Sequence, residues 1–110
     1  MDFVEGNIFT GLASQSKEEI FNPLFSSKNI KIEQIISSGQ TSPARGWYDQ
    51  EQHEWVVLVE GEATLEFENS QKKKLQKGDY IFIPAHTKHK VFYTSANPPC
   101  IWLAVFFNDN

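Results

Sequence analysis

The sequence predicts an all-β protein, an antiparallel sandwich or small barrel built as one domain. Three observations carry the prediction. Seven or eight short apolar runs follow one another with period-two alternation, turn signals such as "EGE", "ENSQ", "QKGD", "PAHTK" and "SANPP" separate them, and only one segment reads as helix. The length of 110 residues leaves room for one hydrophobic core and no second domain.

At the start, Asp2 to Phe9 alternates loosely as a short strand. "SKEE" then has the form of a helix start, with Ser16 as cap and Glu19 returning the bond as a capping box. Pro23 limits that helix to a turn or two, because it lacks an N–H and disfavours helical geometry at Asn22. Residues 1–28 thus read as a strand and short helix outside the barrel, and residues 29–107 as the barrel itself. From Asn29 the period becomes two, with Ile30 and Ile32 on one face and Lys31 and Glu33 on the other. "SSGQTSPARG" has the glycines and proline of a loop. Strands are then expected at His53 to Val59, Ala63 to Glu68, Lys73 to Leu75, Tyr80 to Ile83, His89 to Thr94 and Ile101 to Phe107.

Composition narrows the function. The chain is 40% hydrophobic, 22% charged and 14% aromatic, as a folded protein with an aromatic-rich core should be. Its net charge of -4 argues against nucleic acid, which calls for a dense cationic footprint. The cluster "QKKKLQKG" reads instead as a solvated edge strand protected by its lysines. Cys100 is the only cysteine, so no disulfide, thiolate zinc site or CxxC pair is available and a reducing cytoplasm is expected. The N-terminus lacks the pattern of a signal peptide, and no segment has the apolar length of a membrane span.

The strand faces point to a site and a partner. Ala63, Leu65 and Phe67 share an inner face. On the preceding strand Glu54, Val56 and Leu58 share one face and His53, Trp55, Val57 and Val59 the other, so both faces are apolar. A strand covered on both sides has something packed outside the barrel, and a homodimer is expected. On "HKVFYT", Lys90 and Thr94 mark the wetter face, which turns His89, Val91 and Tyr93 inward. Burying Glu54 beside Val56 and Leu58 requires a partner: a metal, His89 as imidazolium, or Arg45.

Two stretches, "EWVVLVEG" and "GDYIFIPAHTKH", then acquire a meaning together. With "WYDQ" before the first, they resemble the motifs of the cupin superfamily. The first motif there is a glycine, an HxH pair, a glutamate and a closing glycine; the second is a glycine, a PxG turn, a histidine and an asparagine. Glu54 and Gly61 match the first, and Gly78, Pro84 and His89 the second. The resemblance implies an antiparallel double-sheet jelly-roll barrel, with Glu54 and His89 facing inward to hold a divalent metal. This chain departs from the pattern. Tyr48 and Gln50, or Trp47 and Asp49, stand where the paired histidines would be, His86 replaces the motif glycine, and Tyr93 replaces the asparagine.

A substitute metal set remains, in which Glu54 and His89 are joined by His86 and, from the loop edge, by Asp49 or Gln50. Two imidazoles and carboxylate oxygens suit zinc, iron, manganese or nickel with positions left open. Around it Trp47, Asp49, Gln50 and Tyr93 would contact a small oxygenated substrate, and Tyr48 or His86 would move a proton if the protein is an enzyme. No organic cofactor is expected. Two other readings stand beside this one: a metal-free binding module for a sugar-like or carboxylate ligand, and a structural dimer in which Glu54 and His89 form an internal ion pair.

Overall fold

The computed structural model describes residues 3–10 and 18–109. Eight strands form in order: β1 (Ile20–Ser26), β2 (Ile30–Ser37), β3 (His53–Glu60), β4 (Ala63–Phe67), β5 (Lys72–Leu75), β6 (Tyr80–Ile83), β7 (His89–Thr94) and β8 (Cys100–Phe107). They make two antiparallel sheets, one in the order β1-β2-β8-β3-β6 and one in the order β5-β4-β7. The all-β expectation holds for the barrel, strand by strand.

The N-terminal region departs from it. Residues 3–9 form no strand, and Asp2 lies outside the described residues, as does Ser16, the expected helix cap. No helix occurs among the described residues, and Ile20 to Asn22, assigned to the helix, belong to β1. Pro23 is tolerated there because β1 is an edge strand, where a missing N–H breaks no essential ladder bond, and the register with β2 shifts between Pro23 and Phe25.

Between the sheets sits the core. Val56, Leu58, Trp102 and Ala104 of the five-stranded sheet and Ala63 and Leu65 of the three-stranded sheet are buried in one cluster, which also contains Leu75 and Ile83. Each fully buried leucine contributes about 1.5–3 kcal/mol by leaving water. One turn is stereochemically constrained. Gly61, between β3 and β4, has φ +95°, and a Cβ there would lie 2.9 Å from Cα and Sγ of Cys100 and from the Pro99 carbonyl oxygen. Only glycine fits this position without displacing backbone.

Strand β7 carries an irregularity that sets side-chain direction. Thr64 pairs with Tyr93 but Leu65 pairs with Val91, so Phe92 is an extra residue on β7. Alternation therefore reverses beyond it. His89 and Val91 face inward as expected, whereas Thr94 is buried and Tyr93 is exposed, the opposite of the simple period-two reading.

Candidate functional site

A cavity of about 620 Å³ opens between the two sheets. The inner faces of the strands create it by register. Glu54 of β3 lies opposite Phe106 of β8, and Phe106 opposite Lys31 of β2; two residues along, Val56, Ala104 and Glu33 repeat the row. Lys31 and Glu33 thus turn into the barrel mouth while Ile30 and Ile32 face outward. The loop between β2 and β3 supplies the front wall. It runs beside β7, with Ser42 and Val91 exchanging backbone hydrogen bonds (2.7 and 3.1 Å) and Tyr48 and His89 doing the same (2.8 and 3.1 Å). Thr94 Oγ1 anchors the loop by donating to the Gln40 carbonyl at 2.5 Å.

In the cavity wall, Glu54 Oε1 and His89 Nε2 are 3.6 Å apart, an ion-pair separation, with the two residues only 8% and 4% exposed. His89 Nδ1 lies 2.8 Å from the Thr87 carbonyl oxygen, which can only accept, so Nδ1 carries a proton and Nε2 is the atom offered to Glu54. Burial by itself would lower the imidazole pKa. The Glu54 carboxylate and the Thr87 carbonyl outweigh it and raise the value above normal. The ring is held between Tyr48 and Phe67, at centroid distances of 5.6 and 6.1 Å.

Tyr48 lines the same cavity. Burial raises the pKa of its phenol, a hydrogen bond with the Ser42 side chain opposes the shift, and the carboxylates of Glu19 and Glu54 reinforce it. The phenol therefore stays protonated and can donate. Glu19 accepts from Ser37 Oγ at 2.6 Å, and Ser37 Oγ accepts from Trp102 Nε1 at 3.2 Å, a chain that fixes Trp102 in the cavity wall.

The expected site residues separate into groups. Tyr48, Gln50, Glu54 and His89 line the cavity. His86 and Asp49 do not. They pair with each other at 2.9 Å on the exposed rim, where His86 has a positive φ of 62° and its N–H donates to the Gln50 carbonyl. Trp47 is likewise outside, its ring 4.3 Å beneath Lys90 Nζ on the outer face of β7. Tyr93 borders a separate shallow hollow with Thr64 and Lys74, for the register reason given above. His53 faces outward, accepting from Ala85 N–H and pairing with Asp109 at 2.9 Å, and Arg45 is exposed and absent from the cavity wall.

Several cavity residues have no counterpart in the sequence reading: Glu19, Phe21, Glu33, Ser42, Gln52 and Trp102. Trp102 shares strand parity with Ala104 and Phe106, a signal that could have located it. Glu19 was hidden by its fit to a capping box.

A family model for the cupin domain matches residues 33–106, with Glu54 and His89 inside the matched span. The chain belongs to the cupin family. This cupin is similar to the crystal structure of a candidate mannose-6-phosphate isomerase from Ralstonia eutropha JMP134. The two are 42% identical, with a TM-score of 0.89, over 96% of this chain and 98% of that one. It also shares its fold with an RmlC-like cupin from Desulfovibrio desulfuricans (18% identity, TM-score 0.76, 96% and 97% covered). A third similar fold is the polyketide cyclase RemF from Streptomyces resistomycificus (18% identity, TM-score 0.69, 84% and 67% covered). No curated protein matches the chain.

Cupins often hold a divalent metal, and the donors of this cupin can be compared with that need. The expected set of Glu54, His86, His89 and Asp49 is split into one buried pair and one exposed pair. Among the described residues no three of His, Cys, Asp and Glu gather as a metal-holding group. One imidazole and one carboxylate, already facing each other, do not fit a zinc, iron, manganese or nickel centre.

Proposed function

We propose that this cupin binds a small hydroxylated molecule in the cavity between its sheets, by side-chain hydrogen bonds and aromatic contact and without a metal ion. The observation that carries the reading is the Glu54–His89 pair in the cavity wall, in which each charge is balanced by the other and no third ligating side chain joins them among the described residues. Tyr48 offers an O–H, Gln50 and Gln52 offer amides, and Trp102 and Phe106 offer apolar faces. A concave wall in which polar groups converge beside apolar and aromatic side chains has the form of a small-molecule site. The sugar-phosphate name of the Ralstonia relative supports a sugar-like ligand.

Elemental analysis of untagged protein after reconstitution with zinc, iron, manganese and nickel tests the metal-free part. Less than about a tenth of an equivalent is expected, and a stoichiometric metal that Glu54→Ala and His89→Ala abolish overturns it. A thermal-shift panel of sugars and polyols tests the rest. A ligand raises the unfolding midpoint by mass action; a panel without response favours a purely structural ion pair.

We further propose that a second copy of the chain covers the outer face of the five-stranded sheet. Trp55, Val57, Tyr80, Phe82, Leu103 and Val105 share that face by register, Tyr80 is 66% exposed and Phe82 49%, and none of the six is charged. Three adjacent strands, β8, β3 and β6, present it as one contiguous strip, and a contiguous exposed apolar patch marks an interaction site. A flat face without charge is complementary to itself, as a two-fold dimer requires.

A further inference from the structure

We propose that the cavity selects a hydroxylated ligand carrying a cationic nitrogen, a protonated amine, over neutral or anionic molecules of the same shape. The inference rests on the reading of the cavity as a small-molecule site and adds the charge of its ligand.

The wall is unevenly charged. Four carboxylates line it, from Glu19, Glu33, Glu51 and Glu54, against one lysine and one histidine among the described residues. Both cations are already engaged. Lys31 Nζ is 3.7 Å from Glu33 and 4.9 Å from the centre of the Phe106 ring, and His89 faces Glu54. Glu51 lies at the exposed mouth. Glu19 differs from the rest. It is half-buried in the wall, holds the Ser37–Trp102 chain by accepting one hydrogen bond, and has no lysine, arginine or histidine within ion-pair distance among the described residues. A carboxylate in a concave wall attracts any cation that enters beside it.

The rest of the wall suits the same ligand. Phe21, Tyr48, Trp102 and Phe106 present aromatic rings, whose faces attract cations. Burial chiefly keeps the Tyr48 phenol protonated, and the carboxylates of Glu19 and Glu54 add to that effect. For a phosphate the balance is reversed. No free cation faces the cavity among the described residues, and the four carboxylates would repel it. The phosphorylated sugar in the name of the Ralstonia relative therefore does not carry over to this cavity as it stands.

Titration calorimetry with three hexoses of one shape provides the test: mannosamine, mannose and mannose 6-phosphate, at a pH where the amine is charged. A skeleton-independent pair, 2-phenylethylammonium and 2-phenylethanol, runs beside them. In each series the ammonium compound is expected to bind at least about tenfold more tightly than its alcohol. That advantage should shrink as salt is raised. Mannose 6-phosphate is expected to bind most weakly. Glu19→Gln, isosteric and outside the Glu54–His89 pair, should remove most of the ammonium-over-alcohol ratio in both series, and an unchanged ratio overturns the role given to Glu19. Equal or tighter binding of the alcohols or the phosphate overturns the charge selection and leaves the binding-site reading intact. No heat from any of the five compounds overturns both.

Discussion

His89 Nε2 and Glu54 Oε1 face each other at 3.6 Å from opposite sheets, Glu54 on a central strand of the five-stranded sheet and His89 at the start of β7. The pair links the two sheets through side chains across the cavity.

Its protonation ties stability to pH. Burial opposes the charge on His89, but Glu54 and the Thr87 carbonyl win and raise the imidazole pKa above its unfolded value. The folded state therefore holds this proton more tightly than the unfolded chain. The resulting stability is fully present below the unfolded value of about 6.5 and is lost as pH rises through the higher folded value. Thermal unfolding followed across this range should show the midpoint falling on the alkaline side. Glu54→Gln should flatten that fall; an identical profile in the variant excludes the pair as its source.

Removing one partner should cost more than removing both. His89→Ala leaves Glu54 as a buried carboxylate without its cation, a loss of about 3 kcal/mol. The double variant Glu54→Leu with His89→Phe removes both charges and fills the space, and denaturant titration should find it more stable than the single variant. A simple sum of two losses would show that the residues do not act on each other.

Gly61→Ala should be severely destabilising. The new methyl group meets backbone of Pro99 and Cys100 at 2.9 Å, and φ of +95° is strained for alanine. About 3 kcal/mol or more is expected from overpacking and strain together. Chemical denaturation measures it, and a loss below 1 kcal/mol would mean that the β3–β4 turn yields easily.

The outer apolar face should hold a dimer together. Phe82→Glu places a charge on that face, on edge strand β6, without touching the cavity, since Phe82 pairs with Trp55 on the outward parity. Light scattering coupled to size exclusion should give a dimer mass for the wild type and a monomer mass for the variant. A monomeric wild type at high concentration removes the proposal.

The barrel was legible where burial and alternation agree. Val56, Leu58, Ala63 and Leu65 have apolar side chains at period two, and the structure buries all four. At the N-terminus two local signals competed, the Ser16–Glu19 capping pattern and the strand over Ile20–Ser26, and pairing with β2 prevailed for the described residues. The inward aim of Glu54 and His89 was readable from their apolar neighbours in register. The front wall was legible in part: Tyr48 and Gln50 were singled out by their place before Glu54, whereas Ser42 enters through bonds between an irregular loop and β7, for which sequence has no periodic signature. Tyr93, Asp49 and His86 were placed by spacing along the chain, and spacing ignores the extra residue in β7 and the outward turn of the rim.

That extra residue, Phe92, has a consequence for comparing this chain with others. It makes β7 two reading frames joined end to end, so a related barrel without it would need a one-residue gap here. Aligned without the gap, its interior positions would be compared with this protein's surface on one side of Phe92, although both chains keep the same outline. Conservation counted across this strand is therefore meaningful only after the frames have been matched in three dimensions.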